Sequence, residues 1–384
     1  MKVLCIDHGA VLREYRSRYV ALAAVAPDLD LTVVAPQGLR EANYTGRRDG
    51  VGQHEAGYRL AFARFWPARV HRGCYGPIHL GRLIRSLQPD LVHTQGEPET
   101  FSSAEICLLR DALSPRSKLL FVSWSNIDLY RQGWPYRLGR LYDWSYRRVL
   151  GRADGATVYC GDAARILKGN GFAGRVRHIP WGVDPAAFHR SPAPDVRERL
   201  GLRGLVIGFV GRLEWAKGVA TLIRAAAASR IECTLLIVGD GPALGEWTGL
   251  AADMGVPARW VGSVSGPALP TYLSCMDALV LPSETTLHWK EQFGRVLIEA
   301  MACEVPVIGS DSGEIPFVIG DAGLVFRERN VDDLAGKIRS LESAGARADW
   351  ARKGRARVMA EYTWESVARR TLAFYREVLG QERE

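Results

Sequence analysis

The sequence predicts an α/β protein built from two Rossmann-like, doubly wound domains facing across a cleft. Three observations lead there. The chain has 384 residues, long for one core and natural for two. Short apolar runs of strand character alternate with helical patterns through both halves. A break rich in proline, Pro180-Trp181-Gly182-Val183-Asp184-Pro185 and then Ser191-Pro192-Ala193-Pro194, separates the two series.

In the first series the apolar runs place buried parallel strands at 2–6, 30–35, 91–94, 118–123 and 155–160. Crossover helices are expected at 16–26, 76–86 and 102–112. The second series places strands at 205–210, 234–238, 258–261, 278–281, 305–308 and 323–326, with helices at 219–228, 270–275 and 295–302. The expected domains are 1–185 and 186–363. The remaining residues, 364–384, hold a helix that either caps the second domain or crosses back to the first. Successive βαβ units put each domain's ligand edge at the carboxyl ends of its strands. A cleft between two such domains is a common place for a ligand.

Composition narrows the class. Hydrophobic residues at 47% and charged residues at 24% are those of a soluble globular chain. No apolar run approaches the roughly 18–20 residues of a membrane span. The opening Met1-Lys2-Val3-Leu4-Cys5-Ile6-Asp7 reads as a strand, without the longer apolar core of a signal peptide, so a cytoplasmic protein is expected. Seven cysteines are scattered with no Cys-x-x-Cys, which fits reduced core thiols and neither a disulfide framework nor a zinc site.

The net charge of +8 is uneven. Residues 1–190 carry 27 Lys/Arg and 17 Asp/Glu, a balance of +10; the remainder carries 23 and 25, a balance of −2. Two readings are open: a solvated basic face, or attraction to an anionic acceptor or a peripheral membrane surface. Nucleic acid is not expected, because no binding module accompanies the charge.

Three segments can carry chemistry. The first runs from Glu291 to Ala300. A helix beginning near Arg295 leaves the N–H groups of Phe293, Gly294 and Arg295 at its N-terminus, an anion site suited to a diphosphate. Glu299, a turn further in, can accept from ribose hydroxyls. Glu291 before the helix can accept from the sugar. The plainer reading is a solvated Glu291 and a Glu299 paired with a nearby arginine. The second segment, Gly211-Arg212-Leu213-Glu214-Trp215-Ala216-Lys217-Gly218, carries two cations able to neutralise a departing diphosphate, or two ordinary surface charges. The third, Val238-Gly239-Asp240-Gly241-Pro242, marks close backbone approach and is not a full Gly-x-Gly-x-x-Gly fingerprint.

In this order and spacing the three segments resemble the donor domain of family 4 glycosyltransferases of GT-B fold. The likeness extends through Pro282-Ser283, Val305-Pro306-Val307-Ile308, Asp311-Ser312-Gly313 and Gly320-Asp321-Ala322-Gly323, covering about 205–330. The resemblance implies a retaining, metal-independent transferase taking a nucleotide-diphosphate sugar, UDP- or GDP-linked, as substrate with no further cofactor. It implies donor contacts from Gly211, Arg212, Lys217, Gly239, Val261, Glu291, Phe293, Gly294, Arg295 and Glu299, with Glu291, Arg212 and Lys217 closest to the chemistry. The acceptor, a sugar or a lipid-linked sugar in glycoconjugate synthesis, is expected on the first domain.

The first half resembles a branch of the same family through Pro89-Asp90-Leu91-Val92-His93, Glu97-Pro98 and Trp124-Ser125-Asn126-Ile127. Many members carry a glycine pair after the first strand, where this chain has His8-Gly9-Ala10, and a histidine after the strand at 119–123, where it has Ser125 and Asn126. The acceptor-side candidates are therefore His8, Gly9, Glu97, Ser125 and Asn126, and no strong general base is evident among them.

Other features take the plain reading. Asp28-Leu29-Asp30 has an Asp-x-Asp form but sits in a helix-to-strand turn away from the ligand edge. His54, His71, His79, His178 and His189 show no pairing. Trp134, Tyr136, Tyr142, Trp144 and Tyr146 among Arg131, Arg137, Arg140, Arg147 and Arg148 read as packing with a charged outer face, or as a peripheral membrane contact. Two alternatives to transfer stay open: a nucleotide-sugar 2-epimerase, and a non-catalytic nucleotide-sugar binder. A nicotinamide dehydrogenase is disfavoured by the missing glycine fingerprint.

Overall fold

A computed structural model describes residues 1–37, 39, 54–55, 57–67, 69–133, 139–264 and 266–381. Trp134, Tyr136 and Arg137 of the aromatic and arginine-rich stretch lie outside the described residues. The chain divides into two compact units, Met1–Pro180 with Trp364–Glu384, and Trp181–Thr363. The division falls at Pro180, five residues before the expected 185, and the final helix lies with the first unit.

The first unit is a single sheet of β1 (Lys2–Ile6), β2 (Asp30–Gln37), β3 (His54–Glu55), β4 (Tyr58–Arg64), β5 (Leu91–Thr94), β6 (Lys118–Ser123), β7 (Gly155–Val158) and β8 (Arg175–His178). Their order is β3-β4-β2-β1-β5-β6-β7-β8, parallel except for the short β3. Because successive strand residues face opposite sides, Val3 and Cys5 pack on one face with Tyr19 and Leu22 of the helix Arg13–Val25. Leu4 and Ile6 pack on the other with Ile84 of Pro77–Leu87 and Ile106 of Phe101–Leu113.

Two of these strands were not expected. β4 (YRLAFAR) alternates in burial, and β8 (RVRH) is an edge strand with exposed arginines, so neither shows a continuous apolar run. The C-terminal helix Trp364–Val378 completes the first face with Val367, Leu372, Phe374, Tyr375 and Val378. It is tied at its far end by Glu377, which pairs with Arg175 at 2.9 Å and with Arg177.

The second unit holds β9 (Leu205–Val210), β10 (Cys233–Val238), β11 (Ala258–Gly262), β12 (Ala278–Leu281), β13 (Val307–Ser310) and β14 (Leu324–Phe326). All are parallel, in the order β11-β10-β9-β12-β13-β14. That is the 3-2-1-4-5-6 order of a dinucleotide-binding sheet, with winding reversed between β9 and β12. Every residue of β10, β12 and β13 is buried, which is why their sequences read as unbroken apolar runs.

Candidate functional site

A ligand in such a sheet binds outside the strand ends where the winding reverses. In the second unit that is the space after β9 and β12. The loop after β9 carries Gly211, Arg212 and Lys217; the loop after β12 carries Ser283, Trp289 and Glu291. Gly218, at φ +65°, lets the loops touch: a Cβ there would lie 2.0 Å from the Pro282 carbonyl oxygen.

The contact brings Lys217 and Glu291 together across 74 residues of sequence. Lys217 Nζ donates to Glu291 Oε2 at 2.7 Å, and Ser283 Oγ donates to the same oxygen at 2.7 Å. Lys217 also stands 4.6 Å over the Trp289 ring, a cation–π contact. The Lys217 and Glu291 side chains are only 20% and 10% exposed. Behind them Glu314 N donates to the Glu291 carbonyl at 3.2 Å, and a Cβ on Gly313 would fall 1.9 Å from that carbonyl oxygen. The sequence reading assigned Glu291 to the sugar and Lys217 to phosphate as separate groups. In the structure they satisfy each other, because two opposite charges taken out of water need a partner.

Next along the chain, Gly294 at φ +78° opens the helix Arg295–Ala302. The first N–H groups of a helix have no acceptor within it. Phe293 is buried edge-on to Tyr362 at 6.0 Å, which fixes the backbone leading into this turn. Glu299 is buried and bonded by Arg295 Nε at 2.9 Å, so the plainer reading of that carboxylate holds here; Arg295 also covers the Trp181 ring at 5.7 Å. Arg212, 67% exposed, pairs with Glu214 at 2.9 Å. Gly239 N donates to the Gly262 carbonyl at 2.8 Å, beside Val261 in β11. A Cβ on Gly239 would fall 1.9 Å from the Gly211 oxygen, which requires glycine where the β9 and β10 loops meet. Ser283 and Trp289 were missed as site residues. Pro282-Ser283 is visible as a motif, but only the joined loops show what its hydroxyl holds.

The first unit reverses its winding between β1 and β5. His8, following β1, does not face an open edge: it is buried against Phe65 and Tyr75 at ring distances of 5.0 and 5.5 Å. Burial lowers its pKa to about 4, so it is neutral at pH 7. Gly9 N donates to Asp7 Oδ1 at 2.7 Å, part of the same packed turn. Glu97, after β5, is 2% exposed and accepts from Trp124 N at 2.7 Å. Burial raises its pKa to about 7, partly offset by donors from Ser123, Trp124 and Ser125. A group titrating near neutrality is thus present on this side, contrary to the expectation of no general base. Ser125 and buried Asn126 follow β6 on the same edge. The Asp28-Leu29-Asp30 turn lies at the opposite, amino end of β2, with Asp30 near Arg59 at 3.9 Å.

A model of the glycosyl transferases group 1 family matches residues 195–357, and one of glycosyltransferase family 4 matches residues 16–187. The chain belongs to the family 4 glycosyltransferases. Among curated relatives, a D-inositol 3-phosphate glycosyltransferase of Acidothermus cellulolyticus is 32% identical over 54% of this chain and 49% of its own length. A 2-deoxystreptamine glucosyltransferase of Streptomyces kanamyceticus is 32% identical over 62% and 64%. A GDP-mannose-dependent α-(1-6)-phosphatidylinositol monomannoside mannosyltransferase of Mycobacterium tuberculosis is 33% identical over 56% and 59%. The matches span from about half to under two thirds of these relatives' lengths.

Among solved structures, sucrose-phosphate synthase of Thermosynechococcus elongatus superposes with a TM-score of 0.72 at 22% identity, covering 100% of both chains. HepE of Anabaena, solved with UDP, gives 0.73 at 16% identity, covering 98% of this chain and 100% of its own. These likenesses identify the fold of this family 4 member as GT-B. Among its described residues no helix is long and apolar enough to cross a membrane, and no three His, Cys, Asp or Glu side chains gather as a metal group.

Proposed function

We propose that this family 4 member is a retaining glycosyltransferase that moves a sugar from a nucleotide diphosphate to an acceptor hydroxyl. The observation that carries the reading is the Lys217–Glu291–Ser283 cluster, set where the second sheet reverses its winding and next to the N-terminus of Arg295–Ala302. The diphosphate draws Lys217 from Glu291 and joins Arg212 and the helix N–H groups; the released Glu291 then accepts from the sugar. As the bond from the anomeric carbon to phosphate breaks, those fixed charges hold the growing negative charge without a metal. The acceptor oxygen bonds to the same face of that carbon, and its proton passes to the departing phosphate.

A UDP or GDP donor is supported by the GDP-mannose-dependent relative and by the fold neighbour that binds UDP. The relatives' names favour a hydroxyl-rich acceptor, free or lipid-linked, in surface polysaccharide, glycolipid or other glycoconjugate synthesis. The enzyme works in the cytoplasm, with its basic first half against an anionic membrane face.

The test is a thermal-shift screen of UDP, GDP and their sugars, followed by transfer assays. One base stabilises the chain by mass action. Lys217→Ala and Glu291→Ala lower transfer about 10²–10³-fold with an unchanged far-UV spectrum. Near-normal turnover in either variant overturns the reading. Conversion of the donor with no acceptor present would point to an epimerase instead.

A further inference from the structure

Two carboxyl groups that the protein leaves unsatisfied stand at the other winding reversal, in the first unit. Glu97 and Glu99 follow β5 and are 2% and 6% exposed. Glu97 Oε1 accepts from Trp124 N, while Oε2 is buried with no hydrogen-bond partner. Neither carboxyl forms an ion pair with a described residue; burial and their mutual repulsion are what raise the pKa of Glu99 well above its ordinary value. A second polar atom in the same loop is also unmatched: Thr94 Oγ1, on a residue 1% exposed. Beside it is a recess at Gly96, where a Cβ would lie 2.9 Å from Ser103 Oγ, 3.3 Å from Thr100 Oγ1 and 3.4 Å from Thr94 Oγ1. Native proteins pair almost all buried polar side-chain atoms. Unmatched acceptors and hydroxyls at a ligand edge therefore mark where ligand groups complete the set.

The geometry points to a subsite in which Glu97 and Glu99 accept hydrogen bonds from the hydroxyls of a neutral polyol ring, a sugar or a cyclitol. The subsite rests on the proposed function, with the first unit as the acceptor side, and narrows it. Although residues 1–190 carry a balance of +10, this edge presents two carboxyls and repels a phosphate or carboxylate. The ring that enters here is uncharged, and any anionic part of the acceptor lies elsewhere. The titratable groups facing Glu97 are Glu99 on its own loop and Tyr146 on the helix Gly139–Leu150, whose pKa both glutamates raise. Deprotonation near pH 7 makes Glu97 the stronger acceptor.

The experiment uses the full chain with its donor nucleotide bound, and saturation-transfer NMR with myo-inositol, methyl α-glucoside, methyl α-mannoside and the corresponding phosphates. A neutral ring binds, tightening about tenfold from pH 6 to pH 8 as the ionised fraction of Glu97 rises from about a tenth to about nine tenths. Glu97→Gln keeps the bond to Trp124 N, weakens that ring at least tenfold at pH 8 and abolishes its pH dependence. Glu99→Gln weakens it less. UDP and GDP affinity stays at the wild-type value in both. The inference is overturned if no neutral ring binds, if the phosphates bind as well as the neutral rings, or if both variants bind them as the wild type does. Loss of nucleotide binding in the wild type would instead sink the donor reading.

Discussion

Glu291 receives two donors on one oxygen, and they are unequal in kind. Lys217 brings charge and is the group that a diphosphate competes for. Ser283 brings orientation: it is 0% exposed, its backbone is fixed by Ser310 Oγ donating to its carbonyl at 2.5 Å, and no ligand reaches it. A hydrogen bond to a charged group contributes about 1.5–3 kcal/mol. Ser283→Ala is therefore expected to lower stability by about that amount in urea titration. It should also lower kcat while leaving donor KM within about twofold, since the carboxylate remains but is no longer held at one angle. A stability loss with wild-type kcat would show that Ser283 only packs. By contrast, the exposed Arg212–Glu214 pair contributes little to the fold, as solvent screens it.

At the scale of elements, the site is made by loops that approach one another more closely than side chains allow. Gly313, at φ +57°, presses on the Glu291 carbonyl, and Gly218 and Gly239 hold the β9 loop against its neighbours. In Gly313→Ala the strained φ and the 1.9 Å contact act together, so the loop bearing Glu291 must shift. The expected result is a loss of about 1–3 kcal/mol in stability and a fall in transfer of at least tenfold, read by thermal unfolding and turnover. Unchanged turnover would mean that the loop absorbs the methyl without moving Glu291.

The strands feeding these loops were legible because a parallel strand buried on both faces leaves an unbroken apolar run, as in Cys233–Val238. β4 and β8 were not, since an alternating or edge strand mixes charges into the run. The residues on the strand ends were legible one by one. Their pairing was not, because Lys217 meets Glu291 only once β9 lies beside β12, and strand order is written in no local pattern. Burial of His8 and the raised pKa of Glu97 likewise depend on what packs over them.

For the molecule as a whole, the chain crosses back after the second unit to complete the first. The helix Trp364–Val378 lies against Arg13–Val25, and Tyr375 hydroxyl bonds His93 Nδ1 at 2.8 Å beside Cys5. Val367, Leu372, Phe374, Tyr375 and Val378 are all buried in the first unit's core. At about 1.5–3 kcal/mol for each buried side chain of this size, they contribute roughly 8–15 kcal/mol. That is comparable to the entire stability of an ordinary domain, about 5–15 kcal/mol. The first unit is thus incomplete until the last residues of the helix are in place. A chain ending at Thr363 is expected to lose slow hydrogen exchange in β1 and β2, and Leu372→Ala in the full chain to cost about 2–5 kcal/mol. Protected amides at 2–6 and 30–37 in the shortened chain would show that the sheet closes without the helix, and that the crossing serves something other than the core.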